Sequence, residues 1–343
     1  MRVSTMLDYS RGIKESADHV ADLERAGLDI VWVAEAYGLD GPSQMGYIAA
    51  KTDRIEIGSA ILPIYSRTPV LLAQTAAGLD ALSQGRFILG LGASGPQVIE
   101  GFHGVLYDKP LGRTREIIDI CRQVWRRERV EHDGASYQIP VPEGQGTGLG
   151  KPLKLINRPV RERIPIWVAA MGPKNVAMAA EVADGWMPFL FWPERAGGVW
   201  GDALAEGRAK RDTSLAPLEI AGGGLVAIGD GLEGLLDLAR PMAALYIGGM
   251  GAKGRNFYNA LTRRYGYDKE AEEIQELYLS GKKDEAAAAV PAELLEKTNL
   301  VGPPGFVKER IAAFREAGTT VLNVTAIGPD ALKTVEQLKE WAQ

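Results

Sequence analysis

Eight short apolar runs recur along the chain, and helix-length amphipathic segments separate most of them. The runs fall near Val3–Leu7, Ile30–Ala34, Ile55–Ile61, Phe87–Leu91, Ile166–Ala170, Gly185–Phe189, Glu219–Ile228 and Val321–Ala326. Between and after them, Ile13, Ala17, Val20 and Leu23 mark one helix face, Val307, Ile311 and Phe314 another, and Leu332, Val335 and Leu338 a last one. A strand that must pair in parallel with the next needs a crossover, and an eightfold alternation of strand and helix predicts an α/β fold of (β/α)8 type, a TIM barrel. A doubly wound sheet shares the pattern, because periodicity does not show closure. With 343 residues, the whole chain 1–343 is expected to form one barrel domain with two inserted segments. One spans roughly 131–163 and is rich in Gly and Pro; the other spans roughly 230–303 and is mostly charged helix. Long inserts in a barrel usually cover the site or build a subunit contact.

The stretch from Arg54 to Ser94 narrows the expectation. IEIGSAILP and RFILGLGAS flank one helical segment and make a parallel βαβ unit. Both strands end in small residues, so bare main chain lies side by side at their carboxyl ends, where a planar ligand can rest. GLGAS, Gly90 to Ser94, lacks the full GxGxxG of a dinucleotide loop and runs into Gly95–Pro96 instead of a helix. As the end of a barrel strand, it places Ser94 and Gly95 at the rim where such sites form.

Composition removes several function classes. The net charge is −5 with both signs interspersed, which leaves no basic footprint for nucleic acid and no polybasic membrane surface. A small-molecule partner is expected. The single cysteine, Cys121, excludes disulfides within the chain and fits a reducing compartment, and no uncharged run approaches the ~18 residues of a membrane span, so a cytoplasmic protein is expected. His19, His103 and His132 lack the paired spacing of a metal site, so no metal is expected. Nor is there a GxSxG elbow for covalent hydrolysis.

Ile164 to Trp186 reads as a strand, a small-residue turn and a helix opening at Pro173–Lys174. A proline in the first helical turn leaves the N–H groups of Met171, Gly172, Lys174 and Asn175 near a positive dipole end, where a phosphate or an ordinary βα turn would both be at home. Lys151, Lys154, Arg158, Arg161 and Arg163 form the one locally basic run, either solvated surface or a seat for an anionic tail. Trp186, Phe189, Phe191 and Trp192 follow the sixth strand as core or as an apolar pocket wall.

VWVAEAY at Val31–Tyr37, GSAILP at Gly58–Pro63, SRTP at Ser66–Pro69, QGRFILGLGAS and AAMGPKNVAMAAEVADG together resemble the luciferase-like flavin and deazaflavin enzymes. GASGPQV and the MGPKN turn are most similar to the coenzyme F420-dependent branch, which includes methylenetetrahydromethanopterin reductase. The resemblance implies coenzyme F420, with FMN as the alternative, its ring resting on Ser59, Ala60 and Ile61 against a cis peptide between Ala60 and Ile61. It also implies phosphates at the turn Ala170–Asn175 (Ala170, Met171, Gly172, Pro173, Lys174, Asn175), and a homodimer. One departure bears on mechanism: F420 dehydrogenases of this group carry Asp-His at the end of strand two, where this chain has Glu35-Ala36. Without that imidazole, Glu35 and Tyr37 become the catalytic candidates, with Tyr9, Glu100 and His103 behind them. Reduction of an activated C=C or C=N bond then becomes easier to defend than alcohol oxidation. An FMN-dependent monooxygenase fed by a partner reductase and a non-catalytic flavin or deazaflavin binder are the alternatives.

Overall fold

The computed structural model describes residues 1–9, 12–328 and 330–343. Eight parallel strands close on themselves: β1 (Arg2–Met6), β2 (Ile30–Val33), β3 (Glu56–Ser59), β4 (Phe87–Gly92), β5 (Ile166–Ala169), β6 (Gly185–Met187), β7 (Glu219–Gly222) and β8 (Val321–Asn323). Each pairs with the next, and β8 returns to β1 in the register Arg2–Val321, Val3–Leu322, Ser4–Asn323. The expected TIM barrel is therefore the observed fold. Eight helices pack outside it: α1 (Ile13–Arg25), α2 (Gly41–Ala49), α3 (Pro69–Leu82), α4 (Pro110–Trp125), α5 (Pro173–Val182), α6 (Pro193–Lys210), α7 (Pro304–Glu316) and α8 (Ala331–Trp341). Local chemistry sets several starts. Asp40, Thr68 and Asp330 accept the N–H of Ser43, Leu71 and Lys333, capping α2, α3 and α8. No described helix is long and apolar enough to cross a membrane.

Alternation along the strands divides the buried residues into two cores. Val31, Val33, Ile57, Leu89 and Leu91 face the helices, whereas Ile30, Trp32, Ile88, Trp167, Ala221 and Val321 fill the barrel. Trp32 and Trp167 meet at 5.1 Å between ring centroids. Glycine makes room for both: a Cβ on Gly58 would stand 2.1 Å from Trp32, and one on Gly185 2.1 Å from Trp167. Below the strands, Glu24 of α1 accepts the backbone N–H groups of Asp53, Arg54 and Ile55 and so fixes the entry to β3.

Three of the eight expected strands are interrupted, each beside the site. The third stops at Ser59 and resumes at Leu62–Pro63 after a cis Ala60–Ile61 peptide. Ile57 and Gly58 lie opposite Phe87 and Ile88, but Leu62 and Pro63 lie opposite Leu91 and Gly92. The third strand thus carries one residue more than its neighbour, a bulge at the barrel mouth. The seventh and eighth runs continue past the rim as Leu225–Ile228 and Thr325–Ala326, keeping the register of β7 and β8 and adding Leu300–Gly302 as a third strand. Gly223 has φ of 143° at this departure, where a Cβ would meet the Asn323 carbonyl oxygen at 2.3 Å, so the sequence needs glycine there.

The two inserts behave differently. The first holds a hairpin, His132–Asp133 with Gln138–Ile139, laid against α4 through Glu116, whose carboxylate accepts the N–H groups of Ser136 and Tyr137. The second runs through short helices and delivers Leu300–Gly302 to the extra sheet, where Asn299 Oδ1 accepts the Leu225 N–H at 2.6 Å. Only the second reaches the cavity at the carboxyl ends of the strands.

Candidate active site

The carboxyl ends of the barrel strands open into a cavity of about 2440 Å³, far beyond the ~300–1,000 Å³ of ordinary small-molecule sites. Ala60 and Ile61 lie on its wall, and Gly92, Ala93, Ser94 and Gly95 continue it on the next strand end. The turn from Ala170 to Asn175 lines the same space. The two stretches of small residues expected to seat a ring and a phosphate therefore share one cavity.

The bulge is held from behind. Ala60 N–H donates to the Val33 carbonyl at 2.8 Å, and Glu35 N–H donates to the Ile61 carbonyl at 3.3 Å. Glu35 is itself clamped. Its carboxylate oxygens accept from Arg67 Nη1 and Nη2 at 2.6 and 2.9 Å, and Oε2 also accepts the Gly41 N–H at 2.7 Å. Arg67 further reaches Asp40 at 2.9 Å. The Glu35 carboxylate, against the opposing cost of burial, raises the Arg67 guanidinium above its ordinary value. Glu35 therefore sits where the sequence places it, at a strand end beside the ring seat, but both carboxylate oxygens are committed to a cation and an amide. The geometry shows Glu35, expected as a catalytic candidate, holding Arg67 and the Gly41 amide by hydrogen bonds.

Other expectations need correction. Tyr37 is 66% exposed, packs edge-on against Phe102 and lies outside the cavity lining. The Ser59 side chain is fully buried between strands, bonding the Gly90 N–H and carbonyl at 2.8 Å each, so it joins β3 to β4 without facing the cavity. Gly90 has no side chain to compete for that space. The basic run is not a cavity wall either. Arg161 is paired with Asp80 and the Phe87 carbonyl, and Arg163 with Asp184. Glu100 does line the cavity, whereas His103 does not. Tyr9 lines it, but its hydroxyl donates to the Ala34 carbonyl at 2.8 Å, and burial pushes its pKa up to about 12.

At the second seat, Gly172 caps α5 and Pro173 opens it. Trp186 Nε1 donates to the Ala170 carbonyl at 2.8 Å and Trp200 Nε1 to the Met171 carbonyl at 3.1 Å, so two buried indoles pin the turn from outside the cavity. The N–H groups of Met171, Gly172 and Lys174 have no acceptor among the described residues, while that of Asn175 turns back onto the Gly172 carbonyl. Fewer donors are free than the sequence suggests. Asn175 Oδ1 is buried without a partner among the described residues. A small-residue cradle, three open amides, a lysine and an unpartnered amide side chain suit a phosphate-bearing cofactor.

The sequence reading missed the second insert's contribution. Tyr246 and Tyr258 line the cavity at 4.7 Å from each other, and Phe189 packs on Tyr246 at 4.2 Å. Neither hydroxyl has a hydrogen-bond partner among the described residues, and burial raises both phenols above their ordinary values. They keep their protons at neutral pH. Two tyrosines beside GGMG are the only local signal, and nothing in that pattern says which barrel end they reach.

Residues 1–321 match the luciferase-like monooxygenase family model, and the chain belongs to that luciferase-like family. Among its relatives is a Mycobacterium tuberculosis protein named as a coenzyme F420-dependent oxidoreductase, 41% identical over 98% of this chain and 99% of the relative. The 5,10-methylenetetrahydromethanopterin reductase of Archaeoglobus fulgidus is 27% identical over 91% of this chain and 90% of its own length. In fold, the chain is similar to the F420-dependent tetrahydromethanopterin reductase of Methanopyrus kandleri, with a TM-score of 0.79, 21% identity and coverage of 98% and 96% of the two chains.

Proposed function

We propose that the protein is an F420-dependent oxidoreductase that moves a hydride between the deazaflavin and a small organic substrate. The observation that carries this reading is the one-residue bulge at Ala60–Ile61, facing the same cavity as the Ala170–Asn175 turn. The 41% identity to a relative named for F420 favours that cofactor over FMN.

Bound F420 would supply two-electron hydride chemistry with little reactivity toward oxygen. The backbone at Ala60 and Ile61 would back one ring face, with Gly92, Ser94 and Gly95 leaving space beside it. The N–H groups of Gly172 and Lys174 and the Lys174 ammonium would hold the phosphates, with Ala170, Met171, Pro173 and Asn175 shaping that end. Glu35, through Arg67, would keep the bulge in place. The phenols of Tyr246 and Tyr258 would handle the proton that accompanies hydride transfer to a polarised double bond, each recovering it from solvent. Water exclusion by the second insert would strengthen those contacts. We further propose a cytoplasmic homodimer; the aliphatic side chains of Leu149, Leu153, Ile156 and Val160, all exposed on the first insert, support a subunit contact.

Fluorescence titration of the purified protein with F420 and with FMN tests the cofactor. F420 should bind in the micromolar range or tighter, and binding of FMN alone would overturn the reading. Gly172→Val tests the phosphate seat. Its Cβ would lie 3.2 Å from the exposed Phe257 ring, which can yield, so the fold should survive while F420 affinity falls. Unchanged affinity would remove the phosphates from this turn.

A further inference from the structure

The barrel interior meets the cavity in a floor made mostly of carbon, from Met6, Trp32, Ala60, Met187 and Ala221. Val321 points inward beneath it, so Asn323, two residues further along β8, points the same way. Asn323 Oδ1 accepts from the buried hydroxyl of Ser4, its partner in the β1–β8 register, at 3.0 Å. That bond orients the amide and leaves Nδ2 of this half-buried, cavity-lining residue without an acceptor among the described residues. Trp32 Nε1 is buried, so Asn323 carries the side-chain donor that the floor presents. Where β7 leaves the ring beside it, Gly223 and Gly224 line the same cavity, and their N–H groups likewise lack an acceptor among the described residues. None of these donors is charged. The ring seat at Ala60–Ile61 follows β3, three strands round the closed sheet from β8, so the donors stand across the mouth from it.

We propose that Asn323, with these two backbone amides, binds the carbonyl oxygen of a conjugated substrate, an α,β-unsaturated ketone or aldehyde, and stabilises the oxyanion that forms there. The inference rests on the proposed oxidoreductase reading for its hydride and specifies the acceptor. The β-carbon receives the hydride of reduced F420, the C=C electron pair shifts toward the carbonyl, and the enolate oxygen takes its negative charge against Asn323 Nδ2. The α-carbon then takes a proton from a tyrosine phenol, which recovers one from solvent; the substrate gains the two electrons that the coenzyme loses. Fixed neutral donors in a site closed to water stabilise such charge without having to reorganise. An amide donor polarises an oxygen but does not give up its proton at neutral pH, whereas a phenol can. That pairing suits an acceptor whose charge and proton land on different atoms, which conjugation provides and a simple ketone does not.

4-Nitrophenol, whose phenolate imitates the enolate oxygen, reads the site in the purified full-length protein without coenzyme. Its visible absorption reports ionisation, so the bound dye should lose its proton at a lower pH than the free dye. Asn323→Leu should weaken phenolate binding about tenfold or more, and Asn323→Asp, equal in size but an acceptor, should abolish it. Thermal melts report whether each variant folds, and either folded variant is decisive. No bound phenolate in the native protein, or undiminished binding in a folded variant, would overturn the proposal. With reduced F420 added, cyclohex-2-en-1-one should be reduced and cyclohexanone left unchanged, and Asn323→Asp should lower turnover about 10²-fold at unchanged F420 affinity. An enzyme that binds F420 yet reduces the saturated ketone as readily, or leaves the enone untouched, would overturn the conjugated class. Failure to bind F420 would sink the oxidoreductase reading instead, and the dye result would stand without it.

Discussion

Arg67 and Glu35 form the pair on which the ring seat leans. Their side chains are only 13% and 8% exposed, so removing the cation leaves a buried carboxylate with one remaining amide. Arg67→Met should cost about 3 kcal/mol, near the lower end of the penalty for breaking a buried pair, measured by chemical denaturation. Because Glu35 also holds the Ile61 carbonyl, F420 affinity should fall in the same variant, and Arg67→Lys should restore only part of it, since a point charge cannot grip both oxygens. The buried phenols have a different signature. Tyr246→Phe keeps the ring packing against Phe189 and removes one proton, so turnover should drop about 10²-fold with coenzyme affinity unchanged. A parallel loss of affinity would instead mark Tyr246 as part of the coenzyme seat.

Individual elements show where sequence pattern succeeds and where it stops. The βαβ unit from Arg54 to Ser94 was legible because β-branched residues and glycine punctuation coincide there, and the small residues at both strand ends do face the cavity at Ala60 and at Ser94–Gly95. The interruption of β3 was legible only through resemblance, since GSAILP reads locally as one continuous strand. The splitting of the seventh and eighth runs left no separate mark either: both halves are apolar, and only Gly223–Gly224 hints at a change of partner. Tyr246 and Tyr258 lay hidden for another reason, because nothing local tells a charged helical insert which barrel end it must cover. The α1–β3 junction carries a pH signature. Burial pushes the Glu24 carboxyl up, but three backbone N–H donors and the Arg54 charge outweigh it and leave its pKa below the ordinary value. Its stabilisation is therefore present at neutral pH and is lost as pH falls below the ordinary glutamate range near ~4.3. Glu24→Gln keeps an acceptor but loses its charge, so it should cost about 1–2 kcal/mol at pH 7. That difference should shrink toward pH ~3 in acid-titrated melts.

Across the whole molecule, the barrel interior is set by paired choices distant in sequence: Trp32 requires Gly58, and Trp167 requires Gly185. Gly58→Ala or Gly185→Ala would drive a methyl into an indole that fills the closed ring, and each should cost about 1–3 kcal/mol or more in denaturation experiments. Trp32→Leu in the Gly58→Ala background should recover part of the loss, which separates crowding from any backbone effect of the added methyl. The eightfold count pointed to a barrel, but closure itself shows only in the pairing of β1 with β8; the division of labour between the inserts was not legible either, because composition alone does not reveal that one lies along α4 while the other roofs the barrel.

The tryptophan pair also governs traffic. With the floor of the ring stoppered by two indoles, every arriving or departing molecule shares the doorway at the opposite end, beneath the same roof. Whatever occupies the deeper berth must board first and leave last, so the kinetics should show a compulsory order of binding and release.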